Sequence, residues 1–257
     1  MNKLSAVVIV KNEERNLTRC LESLQFADEI IVVDTGSTDK TPIIARELGA
    51  KVYHIEWNGF GPAKKNAVDN ATGEWILSID ADEEITPVLA SEITKAIGSN
   101  QDFTGYYIPR KTNFLGRWIN HSRWYPDYVL RLFRKDKGQF TDSLVHEKVI
   151  LHGETGKFRN YIKHYSYPDT KTFFDKLDRY STLSAQELLK KGRKFSVFAL
   201  ICKTVASFCR HYITGAGFLD GLEGFIIAVL SAYGVFIRYV KLYYLEKTSH
   251  KNESFAS

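Results

Sequence analysis

The first ninety residues alternate between short apolar runs and helix-like segments, and this alternation restricts the fold more than any other feature. Residues 4–10 (LSAVVIV), 29–34 (EIIVVD) and 75–79 (WILSI) are nearly continuously apolar, and 51–55 (KVYHI) is a further strand candidate ahead of the last of them. That is the pattern of strands covered on both faces. A helix through about Ser23, capped by Asn12, follows the first run, and further helices are predicted over 41–48, 64–71 and 87–97. Strands and helices alternating with short connections predict parallel, right-handed βαβ units, half of a Rossmann-like α/β domain. With 257 residues, the chain can complete that domain and add an extension.

Three of these runs end in polar or acidic side chains. Asn12 and Glu13 follow the first, Asp34 ends the second, and Asp80, Asp82, Glu83 and Glu84 follow the fourth. Ligands of open α/β sheets bind beyond the carboxyl ends of the strands, and an acid ending the second strand is placed to hydrogen-bond a ribose or base. Mg²⁺ and Mn²⁺ take oxygen ligands, Mg²⁺ usually from one or two carboxylates plus substrate phosphates. Asp80-Ala81-Asp82 is therefore a candidate metal–diphosphate site. Neither a G-x-G-x-x-G after the first strand nor a G-x-x-x-x-G-K-[ST] occurs, so the expected nucleotide is held by side chains. A composition of 44% hydrophobic and 25% charged residues is globular. Cys20, Cys202 and Cys209 show no metal or redox spacing, and the first apolar run is too short for a secretory signal. Both features fit a cytosolic protein with reduced thiols.

Taken together, VVIVKNEERNL, IIVVDTGSTDKT, FGPAKKNAV and WILSIDADE resemble the inverting, family 2 glycosyltransferases of the GT-A fold. The four motifs come in the family's order over residues 4–84. With LVHEKV near 145 and a basic C-terminal region, the chain resembles most the bacterial lipopolysaccharide or lipooligosaccharide core β-1,4-glucosyltransferases. The resemblance implies that Val10, Asn12 and Glu13 line the base and ribose pocket and that Asp34 bonds the uracil ring. Lys65, with Lys64 as its neighbouring candidate, would lie near the base and diphosphate. Asp80 would contact the ribose or support the metal, and Asp82 would ligate Mg²⁺ or Mn²⁺, with His164 as a further ligand. The implied donor is a nucleotide sugar, UDP-glucose. In an inverting transfer a base removes the acceptor hydroxyl proton during a single displacement. Glu147 falls at that position, although the chain reads His146-Glu147 where many relatives have Glu-Asp. His146 is the alternative base and otherwise an acceptor contact.

Further strands are predicted at 105–110 and 128–134, and the segment between them holds Trp118, His121, Trp124 and Tyr125 among Arg110, Lys111, Arg117 and Arg123. Aromatic rings cover the apolar faces of sugars, and Arg grips phosphate or carboxylate bidentately. Arg110, Trp124 and Tyr125 are therefore acceptor candidates; alternatively the aromatics pack a long loop onto the sheet. From Thr172 the pattern is helical. Residues 195–213, interrupted by Lys203 and Arg210, and the fourteen uncharged residues 224–237 are apolar, and neither supplies the roughly 20 uninterrupted apolar residues of a good membrane span. The expectation is a catalytic domain over 1–170, divided at 90 into nucleotide and acceptor halves. An amphipathic helical extension over 171–257 would then seat the enzyme on the inner face of the cytoplasmic membrane, beside a lipopolysaccharide core acceptor. The same helices would alternatively form a buried pair or a homo-oligomer interface. Another acceptor, such as exopolysaccharide, a lipid carrier or a protein, is the rival within enzymes. The basic segment 106–134 raises nucleic-acid binding as a rival of another class. The acids at 80–84 oppose it, and no nucleic-acid partner is expected.

Overall fold

A computed structural model describes residues 2–99, 102–141 and 148–254. The chain divides into two units, Met1–Lys111 with Pro126–Tyr165, and Thr112–Tyr125 with Ser166–Ser257. The elements begin with β1 (Leu4–Val10), α1 (Leu17–Ser23), β2 (Glu29–Asp34), α2 (Thr41–Glu47), β3 (Lys51–His54) and α3 (Phe60–Asp69). They continue with β4 (Trp75–Asp80), β5 (Glu83–Ile85), α4 (Pro87–Gly98), β6 (Gly105–Phe114), β7 (Arg117–Trp118) and β8 (Asp127–Arg134). Short strands β9 (Gly138–Phe140), β10 (Val149–Leu151) and β11 (Thr155–Lys157) precede β12 (Ile162–Tyr167). Three helices close the chain: α5 (Thr170–Lys190), α6 (Val197–Cys209) and α7 (Gly221–Ser254).

The main sheet has the order β3-β2-β1-β4-β8-β6-β12-β5. β3, β2, β1 and β4 are parallel, as the βαβ alternation requires, while β8 runs antiparallel to β4 and β6 antiparallel to β8. The period of two assigns β1 to both cores. Leu4, Ala6, Val8 and Val10 pack with Leu17 and Leu21 of α1 and Leu89 and Ile93 of α4. Val7 packs oppositely with Ile31, Val33 and Ala67. Burial on both faces explains the lack of polar alternation in these strands. Each buried Leu, Ile or Val contributes about 2 kcal/mol. At the strands' amino end, Gly73 is required: a Cβ there would lie 2.5 Å from Ser5 Oγ and 2.8 Å from Lys3 O.

The expected helix boundaries shift at two places. α1 begins at Leu17 rather than beside Asn12, because Asn12 adopts φ 56° and spends its side chain on the neighbouring loop. α3 begins at Phe60, before the predicted residue 64.

The second unit is built on an aromatic cluster. Phe114 meets Trp124 and Phe173 at ring-centroid distances of 5.6 Å each, and Tyr167 meets Phe173 at 5.1 Å. The segment expected to be a long loop starts with a two-residue hairpin, Phe114 pairing with Arg117. Its central residues Leu115 and Gly116 both have positive φ, 50° and 96°, as a type I′ turn demands. Buried Asp220 accepts the backbone N–H groups of Asn120 and His121 at 3.2 and 2.8 Å, fixing this segment. α5 is capped by Asp169, which accepts the Thr172 N–H at 2.7 Å. α7 is one continuous helix of 34 residues, longer than the expected apolar run. By length and composition, 217–248 would suffice to cross a membrane, with 22% of its most apolar window buried.

Candidate functional site

The register of the parallel strands assembles the site at their carboxyl ends. Val10 is paired with Asp34 of β2, and Ile9 with Asp80 of β4, so the two acids flank the end of β1 on either side. Because β2 and β4 lie on opposite sides of β1, this is the topological switch point where open α/β sheets bind ligands. The loops after β1 and β2 are laced together. Asn12 donates its N–H to Ser37 Oγ at 2.9 Å and accepts the Thr38 N–H at 2.7 Å. Glu13 donates its N–H to Thr41 Oγ1 at 2.7 Å. Val10 O accepts the Thr35 N–H at 3.0 Å. Asp34 is buried, accepts the Ser37 hydroxyl and N–H, and meets His54 Nδ1 at 3.0 Å. Val10, Asn12, Glu13 and Asp34 thus belong to one tied pair of loops.

Asp80 sits in a network of cations. Arg131 of β8 donates to it, Lys64 of α3 lies 3.3 Å away, and its own N–H is accepted by Glu83 at 3.0 Å. Fully buried Glu83 receives Arg131 at 2.6 Å and Arg110 at 3.4 Å, and Arg110 also clasps Asp127 at 2.6 and 3.0 Å. Burial by itself would raise the Asp80 pKa. The charges of Arg131, Lys64 and Arg110 outweigh it and hold the carboxyl well below the usual carboxylate range. Arg131 is stabilised as a cation in turn, its burial outweighed by Asp80 and Glu83. Asp80 thus remains ionised while its side chain stays 38% exposed.

The antiparallel pairing of β5 with β12 sets His164 opposite Glu83. His164 Nε2 thereby lies 3.3 Å from Asp82 Oδ2, and the Tyr165 N–H donates to Asp82 O at 2.8 Å. Two donors each about 2.1 Å from one ion and at right angles to each other stand roughly 3 Å apart. This pair therefore fits two positions of a divalent cation's shell. His164 Nδ1 is buried with no hydrogen-bond partner, so among the described residues the ring's polar contact is on the Asp82 side. Among the described residues no group of three His, Cys, Asp or Glu side chains could hold a metal ion; substrate oxygens and water would complete the shell. Glu84 faces Lys163 at 2.8 Å and Tyr165 Oη at 2.7 Å. Burial, followed by that hydrogen bond, pushes the Tyr165 phenol up to about 12.

The remaining candidates make other contacts. Lys64, not Lys65, contacts Asp80; Lys65 lines a separate cleft with Val68, Lys135 and His152. Arg110 is committed to Asp127 and Glu83. Trp124 and Tyr125 belong to the second unit, where Trp124 packs edge-on against Phe114. Glu147 and His146 lie outside the described residues. Arg131 and Glu83 are further site residues to which no sequence motif assigns a role. The signal for Arg131 was present in YVLRLFR, where an arginine between Leu130 and Leu132 in a covered strand must be buried and paired.

Comparison with known proteins bears on the family and the fold. The profile of glycosyl transferase family 2 matches residues 5–164. An uncharacterized glycosyltransferase of Rickettsia typhi is 33% identical over 256 residues, covering 94% of this chain and 87% of the relative. The lipopolysaccharide core biosynthesis glycosyltransferase LpsC of Rhizobium meliloti is 29% identical over 247 residues, covering 93% and 92%. Among solved structures, S. aureus TarS 1-349 superimposes with a TM-score of 0.50 at 18% identity, covering 97% of this chain and 92% of that one. That likeness speaks for the fold, a mostly parallel GT-A sheet flanked by helices. With the matched profile spanning β1 through His164 and the relatives aligned over nearly their whole length, this chain belongs to glycosyl transferase family 2.

Proposed function

We propose that the protein is an inverting glycosyltransferase that uses a nucleotide sugar, UDP-glucose, and a divalent cation to extend a lipopolysaccharide core acceptor. The observation that carries this reading is the row Asp34–Val10–Ile9–Asp80 at the switch point, next to the Asp82–His164 pair. Asp34 would accept from the uracil ring, within loops held rigid by Asn12 and Ser37. Asp80, kept anionic by Arg131 and Lys64, would accept from the ribose. Asp82 and His164 would hold Mg²⁺ or Mn²⁺. Such an ion, when bound, supplies charge stabilisation to a departing diphosphate. Lys64 adds a positive charge preorganised on the same side, and electrostatic preorganisation of this kind needs no rearrangement as the reaction proceeds. Glu147 remains the proposed base for the acceptor hydroxyl. The relationship to LpsC favours the core saccharide as acceptor.

Titration with UDP, with and without Mn²⁺, tests this reading. The expected result is metal-dependent binding that Asp82→Ala abolishes. Metal-independent binding unchanged in Asp82→Ala would remove the proposed ion site, and no binding of any nucleoside diphosphate would overturn the donor site itself.

A seat on the membrane is part of the same proposal. Phe198 of α6 is 78% exposed and Leu222 of α7 is 67% exposed, and Ile201, Val205, Phe225 and Val229 are also exposed. Lys203 and Arg210 lie in the same segment. Apolar surface beside cations suits an anionic leaflet. Co-flotation with phosphatidylglycerol vesicles should fall sharply in a Phe198→Ser/Ile201→Ser variant; unchanged flotation would contradict the seat.

A further inference from the structure

The second unit contains a pocket of about 280 Å³ that the proposed donor and metal site does not use. It lies near the small end of the roughly 300–1,000 Å³ range of ligand pockets, room for one sugar-sized group. Aromatic rings of Trp124, Tyr167 and Tyr180 line it, with the hydroxyls of Ser181 and Ser184 and the cations Lys176 and Arg238. Its composition therefore combines ring faces, neutral hydrogen-bonding groups and positive charge.

Arg238 supplies the second observation. Its Nε is buried with no hydrogen-bond partner, and no carboxylate among the described residues forms an ion pair with it or with Lys176. The neighbouring Lys241, by contrast, is satisfied by Asp178 at 2.6 Å and by Ser181 and Thr182. Lys176 donates to Ser166 O at 3.0 Å and Ser166 Oγ at 2.9 Å, which uses two of an ammonium's three donors. Lys176 also lies over the Tyr167 ring at 5.1 Å and Arg238 over Tyr239 at 5.3 Å, so the pocket offers a guanidinium N–H without an acceptor and an ammonium with one donor left, beside the faces of Trp124 and Tyr180. A guanidinium binds phosphate in a bidentate manner, and aromatic faces cover the C–H face of a sugar ring.

We infer that this pocket binds a phosphorylated sugar residue, with Arg238 and Lys176 on the phosphate and the aromatic rings on the sugar. As the site for a phosphorylated unit of the acceptor, it rests on the transferase reading above. As a binding site, it stands on its own contacts. Gly234 of α7 lines the same pocket, and a Cβ there would lie 3.7 Å from Leu177, an ordinary contact. A leucine can therefore be introduced on the helix to fill the space.

The test is calorimetric titration of the full chain with glucose 6-phosphate, glucose and inorganic phosphate, alongside Mn²⁺–UDP as a separate readout. Glucose 6-phosphate should bind at least tenfold more tightly than either component. Arg238→Gln and Gly234→Leu should each weaken it at least tenfold while melting temperature and UDP binding stay unchanged. Gly234→Leu decides the matter if Arg238→Gln does not fold. Binding of glucose 6-phosphate no tighter than inorganic phosphate, or unaffected by Gly234→Leu, overturns the inference. So does Arg238-dependent binding of phosphatidylglycerol vesicles without sugar-phosphate binding, which would identify a lipid headgroup as the source of the phosphate. Loss of sugar-phosphate binding with UDP binding intact sinks the pocket alone; the reverse sinks the donor site alone.

Discussion

At the amino end of β2, the Glu29 side chain is 5% exposed and accepts from Lys51 at 2.7 Å, Ser5 Oγ at 2.5 Å and the Thr72 N–H at 2.6 Å. At the carboxyl end of β4, the Asp80 and Asp82 side chains keep exposures of 38% and 24%. Both ends hold carboxylates among donors, but only the second leaves oxygen surface open to solvent. Glu29 ties together β1, β2, β3 and the segment before β4, so its energy goes into the fold. Asp80 is held ionised, and Asp80 and Asp82 both keep side-chain surface open to a ligand. Charge that the protein itself saturates serves stability, whereas charge held in place with access remaining is what the proposed binding role requires.

The largest expected effect separates these ends directly. Asp82→Ala should reduce transfer by about 10³-fold with little change in melting temperature; a variant losing stability and retaining turnover would reverse the comparison. Next comes Arg131→Met, which strips a buried cation from Glu83 and Asp80. Removing one partner of a buried pair costs about 3–5 kcal/mol, measurable by urea denaturation. A near-neutral result would mean that Arg110 alone satisfies Glu83.

Glu29→Gln should cost about 2 kcal/mol through lost charge-assisted hydrogen bonds and leave UDP affinity unchanged. Its pH dependence has a definite sign. Burial would raise the Glu29 pKa, but Lys51, Ser5 and Thr72 overcome it and lower the folded value. The stabilisation is therefore complete above the ordinary carboxylate pKa of about 4.3 and lost as pH falls through the folded value. The stability gap between wild type and Glu29→Gln should close in acid, and a constant gap would exclude ionisation as its source. Smallest of all, His54→Ala removes a half-exposed partner of Asp34 and should cost under about 1 kcal/mol by thermal melting.

Much of the first unit was legible because its signals are local. A continuously apolar run such as EIIVVD specifies a covered strand wherever it lies, and the acids ending β2 and β4 are read directly from their neighbours. Asn12 was less legible, since its side chain has a choice between capping a helix and bonding the next loop, and Ser37 and Thr38 become its neighbours only in the sheet. That Lys64 meets Asp80 likewise depended on which side of α3 faces it.

The sequence by itself determined the strand–helix order, the acids at the strand ends and family membership, because hydrophobic period and motif spacing are properties of the chain. Only the tertiary structure decided that Arg131 holds Asp80 and Glu83 across 51 and 48 residues, that β5–β12 pairing brings His164 to Asp82, and that Arg238 meets an aromatic pocket. Those contacts arise from strand register and helix rotation, which are set by the packing of the whole core.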